Sequence, residues 1–158
     1  MTAASVTPEG FRAAIGAFPT GVAVVTSTSP AGPVGLTTNA VSSLSLDPVM
    51  LVVCFDNSSR TLPVVRESGR FAVNLLRADQ EPLARVFASK EAPADKFAQV
   101  SHSSDHGIPI LDDVVAWFAC EVTALHPGGD HTIALGTVTA LGHEVGAEPL
   151  RFERGGYR

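Results

Sequence analysis

Cysteine is scarce in this chain, and its placement excludes several classes of protein. The 158 residues include two cysteines, Cys54 and Cys120, which lie far apart and form no C-x-x-C pair. A disulfide framework or a zinc site needs more thiols or closely spaced ones. We therefore expect both cysteines to be reduced and to pack as small buried hydrophobic residues.

Long apolar runs and blocks of like charge are also missing. The formal net charge of −5 comes from scattered carboxylates, and no basic stripe is present, which makes nucleic acid an unfavourable partner. No stretch is apolar enough to cross a bilayer, and residues 1–9 lack the basic start and apolar centre of a signal peptide. We expect a cytoplasmic protein without a membrane partner.

Common catalytic fingerprints are absent too. The chain has no G-x-S-x-G, Walker or G-x-G-x-x-G motif, which removes the usual hydrolase, P-loop and Rossmann interpretations. Four histidines have no metal-ligand spacing with carboxylates or thiols: His102, His106, His126 and His143. We therefore predict no metal site.

What the sequence does contain is a series of short β-branched segments separated by turns. A single domain over residues 1–158 is expected, with residues 1–8 as a disordered tail. The pattern predicts strands over 22–27, 34–38, 41–46, 49–55, 71–76, 114–125, 132–141 and 150–152. It predicts helices over 8–17, 62–68 and 79–88, the last capped by Asp79, and a long surface loop over 89–109 with one helical turn near 95–100. The fold class is therefore mainly β with short helices, in the form of an antiparallel barrel.

A polar segment between two apolar strands is the first candidate for chemistry. Residues 34–48 are rich in hydroxyl and amide side chains, which a core excludes unless they are paired. Short side chains such as Thr37, Thr38, Asn39 and Ala40 would let a planar heteroaromatic ring approach the backbone. The alternative is an ordinary polar turn, which this segment alone favours. Alternation places Ser43 and Ser45 on one face and Leu44 and Leu46 on the other.

Two further segments could bind phosphate. Residues 56–61 follow a buried strand and open a helix, so free N–H groups, Ser59 and Arg60 could form a cradle. Ala88-Ser89-Lys90 at a helix end could add a point charge. The alternatives are a plain helix cap with a solvated arginine and a lysine that favours a helix C-terminus.

The turn Gly128-Gly129-Asp130-His131 places an imidazole at the mouth of a strand pair. An imidazole can stack on a substrate or hydrogen-bond to it in either protonation state, so His131 could contact a substrate. An idle, exposed histidine in a hairpin turn is the equally weighted alternative.

Taken together, several segments in order and spacing resemble the short-chain flavin reductase family, with its FMN-binding split β-barrel. The resemblance covers most of the chain, from Phe11 to Tyr157, and is carried by these segments: Phe11-Arg12, Phe18-Pro19-Thr20-Gly21-Val22-Ala23-Val24-Val25-Thr26, Gly35-Leu36-Thr37-Thr38-Asn39-Ala40, Ser43-Leu44-Ser45-Leu46-Asp47-Pro48, Phe71-Ala72-Val73-Asn74-Leu75-Leu76, Asp95-Lys96-Phe97 and Gly129-Asp130-His131. One departure is Ala40, where many members carry serine, so a hydroxyl bond to the flavin is missing there.

The resemblance implies an NAD(P)H:flavin oxidoreductase that acts as a homodimer and supplies reduced FMN or FAD to a partner monooxygenase. It implies that residues 37–40 line the flavin ring, that Cys54, Phe55 and Asp56 flank its middle, and that His131 lies beside the nicotinamide. It assigns ribityl or phosphate contacts to the loop residues Ser59, Arg60, Ala88, Ser89 and Lys90. Direct hydride transfer between cofactors needs positioning more than acid–base groups. The alternatives are a non-catalytic flavin-binding module and a pyridoxamine-phosphate-oxidase-like enzyme, although the paired basic residues for a second phosphate are missing.

Overall fold

The helices of the protein are short, with five to eight residues each. The computed structural model describes residues 6–158, and within that range the helices are α1 (Pro8–Ile15), α2 (Thr61–Ser68), α3 (Glu81–Ala88) and α4 (Pro93–Phe97). Thr7 caps α1, since its Oγ1 accepts a hydrogen bond from the Gly10 amide at 3.1 Å. The tail expected over residues 1–8 therefore overlaps this helix start, and residues 1–5 lie outside the described residues.

The ends of α2 and α3 test the predicted capping residues. Gly69 ends α2 in the left-handed conformation, with φ of 66°, which glycine adopts without strain. The prediction that Asp79 caps α3 is wrong. The helix begins at Glu81 with Gln80 before it, and the Asp79 carboxylate lies 3.8 Å from the Arg77 guanidinium.

Strands are the largest class of secondary structure in the described chain. The strands are β1 (Thr20–Gly21), β2 (Ala23–Ser29), β3 (Gly32–Thr38), β4 (Val41–Leu46), β5 (Val49–Asp56), β6 (Arg70–Leu75), β7 (His102–Ser103), β8 (Ile110–Leu111), β9 (Ala116–Gly128), β10 (His131–His143), β11 (Arg151–Glu153) and β12 (Gly156–Tyr157). Seven of them form one antiparallel sheet in the order β3-β2-β6-β9-β10-β5-β4. The expected mainly β, antiparallel fold with short helices is confirmed.

The two edges of this sheet meet at one corner. The edge strands β3 and β4 are joined by Asn39 and Ala40 alone, and the Cys54 amide donates to the Ala40 carbonyl at 3.0 Å. Every strand of the sheet contributes apolar side chains to one cluster, which also receives Leu62 and Val65 of α2. A sheet whose strands all face one core is curved around it, which supports the predicted barrel shape.

Aromatic packing occupies the centre of this core. Phe55 of β5 and Phe71 of β6 are fully buried and meet edge to face, with ring centroids 6.1 Å apart. Gly136 of β10 makes room for Phe71, since a Cβ at this position would lie 2.5 Å from its Cζ atom. A glycine in a strand is thus explained by close packing rather than by a turn.

A second apolar cluster covers the outer face of the sheet. It combines Val24 of β2, Leu76 and Leu150 with Phe87 of α3 and Phe97 of α4, whose rings meet edge to face at 5.2 Å. This packing holds the C-terminal end of α3 against the sheet next to β3. The long loop expected over 89–109 is therefore more ordered than predicted, because it contains α4, β7 and the start of the β7–β8 pair.

Two local details of the strands differ from the sequence-based expectation. The β4–β5 register shifts between Ser43 and Ser45, so simple alternation does not assign the faces of this strand. Leu44 and Leu46 are both exposed. The strands β9 and β10 run to Gly128 and from His131, which leaves a two-residue turn of Gly129 and Asp130, with a positive φ of 73° at Gly129.

Over residues 6–158, no helix has the length and apolar character that crossing a membrane would require.

Candidate functional site

An open cavity of about 850 Å³ lies where strands of the sheet meet the ends of three helices. Its walls come from β3, the C-terminal end of β5, the first residue of β10, the start of α2, the end of α3 and the loop into α4. A cavity of this size suits a cofactor or another small organic ligand.

The β5–β10 pair forms one wall, and its register decides which side chains reach the cavity. Asp56 of β5 pairs with His131 of β10, and directly paired residues project from the same face of a sheet. Cys54 lies two residues before Asp56 and shares that face, so all three line the cavity. Phe55 points the opposite way and is 0% exposed in the core, so its side chain does not reach the cavity.

The imidazole of His131 is held by its neighbour. Its Nδ1 lies 2.7 Å from the Asp130 Oδ1, and the imidazole is 39% exposed while the Asp130 carboxylate is 94% exposed. When the ring is neutral, this contact places the proton on Nδ1 and leaves Nε2 free to accept a hydrogen bond.

Asn57 anchors the hairpin that carries this histidine. Its amide donates to the Asp130 carbonyl at 3.0 Å, and its side-chain oxygen accepts from the Thr132 hydroxyl at 2.7 Å. Thr132 is buried and also accepts from the Arg66 guanidinium at 2.9 Å. The β9–β10 turn is therefore tied to the chain that follows β5.

The carboxylate of Asp56 organises the turn after β5. Its Oδ1 accepts from the Ser58 amide at 2.7 Å and from the Ser58 hydroxyl at 2.6 Å. These hydrogen bonds to Ser58 lower the pKa of Asp56, with a smaller contribution from His131, so it is an anion at neutral pH. This part of the cavity thus carries a fixed negative charge.

The start of α2 contributes Ser59 and Arg60, as expected for a phosphate cradle. Ser59 Oγ accepts from the Leu62 amide in the first turn of the helix, at 3.3 Å. Arg60 reaches across the cavity to the opposite loop, where its guanidinium donates to the carbonyls of Lys90, at 3.1 Å, and Glu91. Arg60 is therefore not a freely solvated side chain.

The end of α3 forms the facing wall. Ala88, Ser89 and Lys90 all line the cavity, and the backbone turns out of the helix at Ser89. The ammonium group of Lys96 from α4 donates to the carbonyls of Phe87, at 3.0 Å, and Ser89, at 2.8 Å. Arg60, Lys90 and Lys96 bring three positive charges to this end of the cavity.

Residues 37–40, at the end of β3 and in the corner that follows, lie in different surroundings. Thr37 and Thr38 line the cavity, but the Thr37 hydroxyl already donates to the Ala84 carbonyl at 2.7 Å. Asn39 points instead to a small adjacent cavity of about 140 Å³, and its amide donates to the Thr20 hydroxyl. Ala40 does not line the main cavity, because its amide and carbonyl close the corner with Thr38 and Cys54.

Several cavity residues were missed by the sequence-based prediction: Gly35, Leu36, Ser58, Thr61, Phe87, Pro93 and Lys96. Ser58 lies inside a predicted segment and could have been found by its position. Lys96 lies in the Asp95-Lys96-Phe97 segment of the resemblance, but no local signal predicts that it turns back to α3. Within residues 6–158, no group of three or more histidine, cysteine, aspartate or glutamate residues could hold a metal ion.

The cavity combines a cationic end with a wall of short polar side chains and an imidazole. A phosphate-bearing ligand with a flat heteroaromatic ring matches this set, because the cations suit the phosphate and the small residues permit close approach of the ring. The fold and cavity thus define a mainly β protein with a site that suits a nucleotide-like ligand.

Comparisons with known proteins identify the family. Residues 15–158 match the model of the flavin reductase like domain. A probable flavin reductase of Rhizobium meliloti is 43% identical over 99% of this chain and 50% of its own length. The reductase subunit HsaB of a flavin-dependent monooxygenase from Mycobacterium tuberculosis is 37% identical over 98% of this chain and 83% of its own length.

A solved structure is similar along nearly the whole chain. The NADH:FAD oxidoreductase SgcE6 of Streptomyces globisporus, in complex with NAD and FAD fragments, is 34% identical, with a TM-score of 0.90 over 99% of this chain and 96% of that one. The chain belongs to the flavin reductase family. It spans half the length of the Rhizobium meliloti relative.

Proposed function

We propose that this chain is a flavin reductase that transfers a hydride from NADH or NADPH to FMN or FAD. The observation that carries the proposal is that one cavity is lined both by three cations and by His131. Relatives named as flavin reductases and the SgcE6 complex with NAD and FAD fragments support it.

The residues of the cavity fit a flavin. Arg60 and Lys90 would hold its phosphate, with Ser59 and Ser89 as hydroxyl partners. Thr37, Thr38 and the backbone of Ala40 would line the ring, with Cys54, Asp56 and the backbone of Phe55 at its middle. Asn39 would act through the corner it stabilises rather than by direct contact.

The bound flavin supplies the hydride-accepting chemistry, and the protein contributes position and electrostatics. His131 would lie beside the nicotinamide, with its free Nε2 toward the cavity and its Nδ1 fixed by Asp130. A hydride that moves directly between two cofactors requires no proton to pass through the protein. The main task of these residues is therefore to hold both rings in reacting geometry.

The test is to mix purified protein with NADH or NADPH and excess FMN or FAD, and to follow the nicotinamide absorbance. Many turnovers per protein molecule are expected. A non-catalytic flavin-binding module would take up flavin and leave NADH unchanged. A pyridoxamine-phosphate-oxidase-like enzyme would instead turn over pyridoxamine phosphate, and either result would contradict the proposal. The same assay identifies the preferred flavin and nicotinamide nucleotide.

We also infer that reduced flavin leaves the site for a partner monooxygenase, as the name of the HsaB relative suggests. The open cavity supports exchange of flavin with solvent. In a competition test, a second protein that binds free reduced flavin is added. It should bind reduced flavin at the rate at which NADH is oxidised. Capture of less than a few per cent would contradict release.

A homodimer is part of the same proposal, supported by exposed apolar side chains. Leu44, Leu46 and Val49 lie on the β4–β5 hairpin, and Leu46 is 88% exposed. Phe11 and Ile15 of α1 are exposed as well. Exposed apolar side chains grouped on one hairpin mark an interaction surface. Light scattering should give twice the chain mass, and Leu46→Asp should shift the protein toward monomer.

A cytoplasmic location is proposed from the two unpaired thiols, which reducing compartments preserve.

A further inference from the structure

The chain contains two lysines, and the structure places them in opposite environments at the same loop. Lys90 is exposed at the cavity, whereas Lys96 is 4% exposed. Among residues 6–158, Lys96 is the one buried lysine, arginine, aspartate or glutamate. Burying an ammonium group is costly unless it is well paired, so its partners need explanation.

Its partners are backbone carbonyls at the end of α3. The carbonyls of Phe87 and Ser89 lie where a helix leaves its last acceptors without partners. The Lys96 ammonium supplies both missing donors and joins α4 to the end of α3. The three residues between Ser89 and Pro93 are thereby held as a short fixed loop.

Arg60 holds the same loop from the other side. It donates to the carbonyls of Lys90 and Glu91, so consecutive carbonyls of the loop face two cations. Ser89 and Lys90 meanwhile line the cavity. The two cations therefore hold the loop in the conformation in which Ser89 and Lys90 line the cavity.

The arrangement also places the positive charges of Lys96 and Arg60 close together. Burial lowers the pKa of Lys96, and the nearby Arg60 lowers it further, while Glu91 acts in the opposite direction. An ammonium group has three donors, and two are used by the carbonyls. Since Lys96 itself lines the cavity, an anion bound there would offset the repulsion between these cations.

We propose that Lys96 is a positioning residue for the terminal phosphate of the flavin, because it fixes the Ser89–Lys90 loop and adds buried positive charge behind it. This inference rests on the proposed flavin reductase function. It predicts that Lys96 matters for flavins that carry a phosphate and much less for riboflavin, which lacks one.

The experiment compares FMN and riboflavin binding in the whole protein, measured by flavin fluorescence, for the wild type and for Lys96→Met. We expect Lys96→Met to weaken FMN binding by about tenfold or more and riboflavin binding by less than about threefold. Lys96→Arg keeps the charge but alters the fit to the two carbonyls, so an intermediate FMN affinity is expected.

Arg85→Met is the matched control, because it removes an exposed positive charge from α3 that pairs with Glu81 rather than with the loop. It should leave the ratio of FMN to riboflavin affinity unchanged. An equal loss of both flavins in Lys96→Met would show a merely structural role and overturn the proposal. Unchanged FMN affinity would also overturn it.

A second measurement remains decisive if Lys96→Met does not fold. With two lysines in the chain, protein labelled with ¹³Cε-lysine gives two side-chain NMR signals, which Lys90→Arg assigns. FMN should move the Lys96 signal of the wild type and riboflavin should not, whereas equal shifts would contradict the proposal. Failure of the wild type to bind either flavin would instead contradict the proposed function itself.

Discussion

The two walls of the cavity are built by different means. The wall formed by β3, β5 and β10 places its side chains by strand register, as the pairing of Asp56 with His131 shows. The facing wall consists of helix ends and a short loop, held by hydrogen bonds from Arg60 and Lys96 to backbone carbonyls. The sheet therefore sets positions by backbone pairing, whereas the helix ends depend on charged side chains.

The walls also differ in charge. The sheet wall carries the Asp56 carboxylate and the His131–Asp130 pair, and the helix-end wall carries three cations. Charged ligand groups should thus be recognised at the helix ends, and ring geometry at the sheet. Changes at the helix-end wall should affect flavin affinity, and changes at the sheet wall should affect the reaction with the nicotinamide.

The largest effect is expected at the sheet wall. His131→Ala should lower kcat/KM for NADH by about 100-fold, because small errors in ring placement are costly in hydride transfer. FMN affinity should change little. Steady-state kinetics and fluorescence titration measure the two quantities. His143→Ala, at the opposite end of the same strand, is the matched control, and an unchanged NADH turnover in His131→Ala would refute the role of this residue.

At the helix-end wall, Arg60→Met should weaken flavin binding and leave the reaction with NADH nearly unchanged. We expect FMN affinity to fall by about tenfold, since hydrogen bonds to charged groups contribute about 1.5–3 kcal/mol. Riboflavin binding and the rate at saturating FMN should change much less. Arg151→Met serves as an exposed control. A variant that loses NADH turnover at saturating FMN would break the proposed division between the walls.

A smaller effect is expected for Asp130→Asn. The carboxylate is almost fully exposed, so its contact with His131 is screened by water. We expect kcat/KM for NADH to fall about threefold, because a neutral amide holds the proton on Nδ1 less firmly than a carboxylate does. A loss as large as that of His131→Ala would show that Asp130 has a direct role.

Cys54 reports on the sheet wall, and the buried Cys120 of β9 serves as an internal control. Burial raises the pKa of the Cys120 thiol to about 12, so this thiol stays protonated and unreactive below that pH in the folded protein. Cys54 lines the cavity and should react with iodoacetamide, more slowly when FMN is bound. Mass spectrometry of labelled peptides measures both. Equal labelling of Cys54 with and without FMN would place the ring elsewhere.

Local patterns predicted much of this molecule because they depend on near neighbours. The strands from β2 to β6, the helix start at Thr7 and the Gly129–Asp130 turn follow from β-branched runs, capping chemistry and turn residues. Most of the predicted site residues do line one cavity. Phe55 and Asn39 were predicted beside residues that line the cavity, but strand alternation and the contact with Thr20 turn their side chains away from it.

What the sequence by itself determined is the alternation and turn chemistry of the strands, the family, and the polar and charged residues available for a site. The tertiary structure decided which of them meet. The absence of long apolar runs and cysteine pairs could exclude functions, but it could not show that Lys96 is buried against the end of α3. Such contacts depend on packing between separate elements, whereas capping and periodicity depend only on residues a few positions apart.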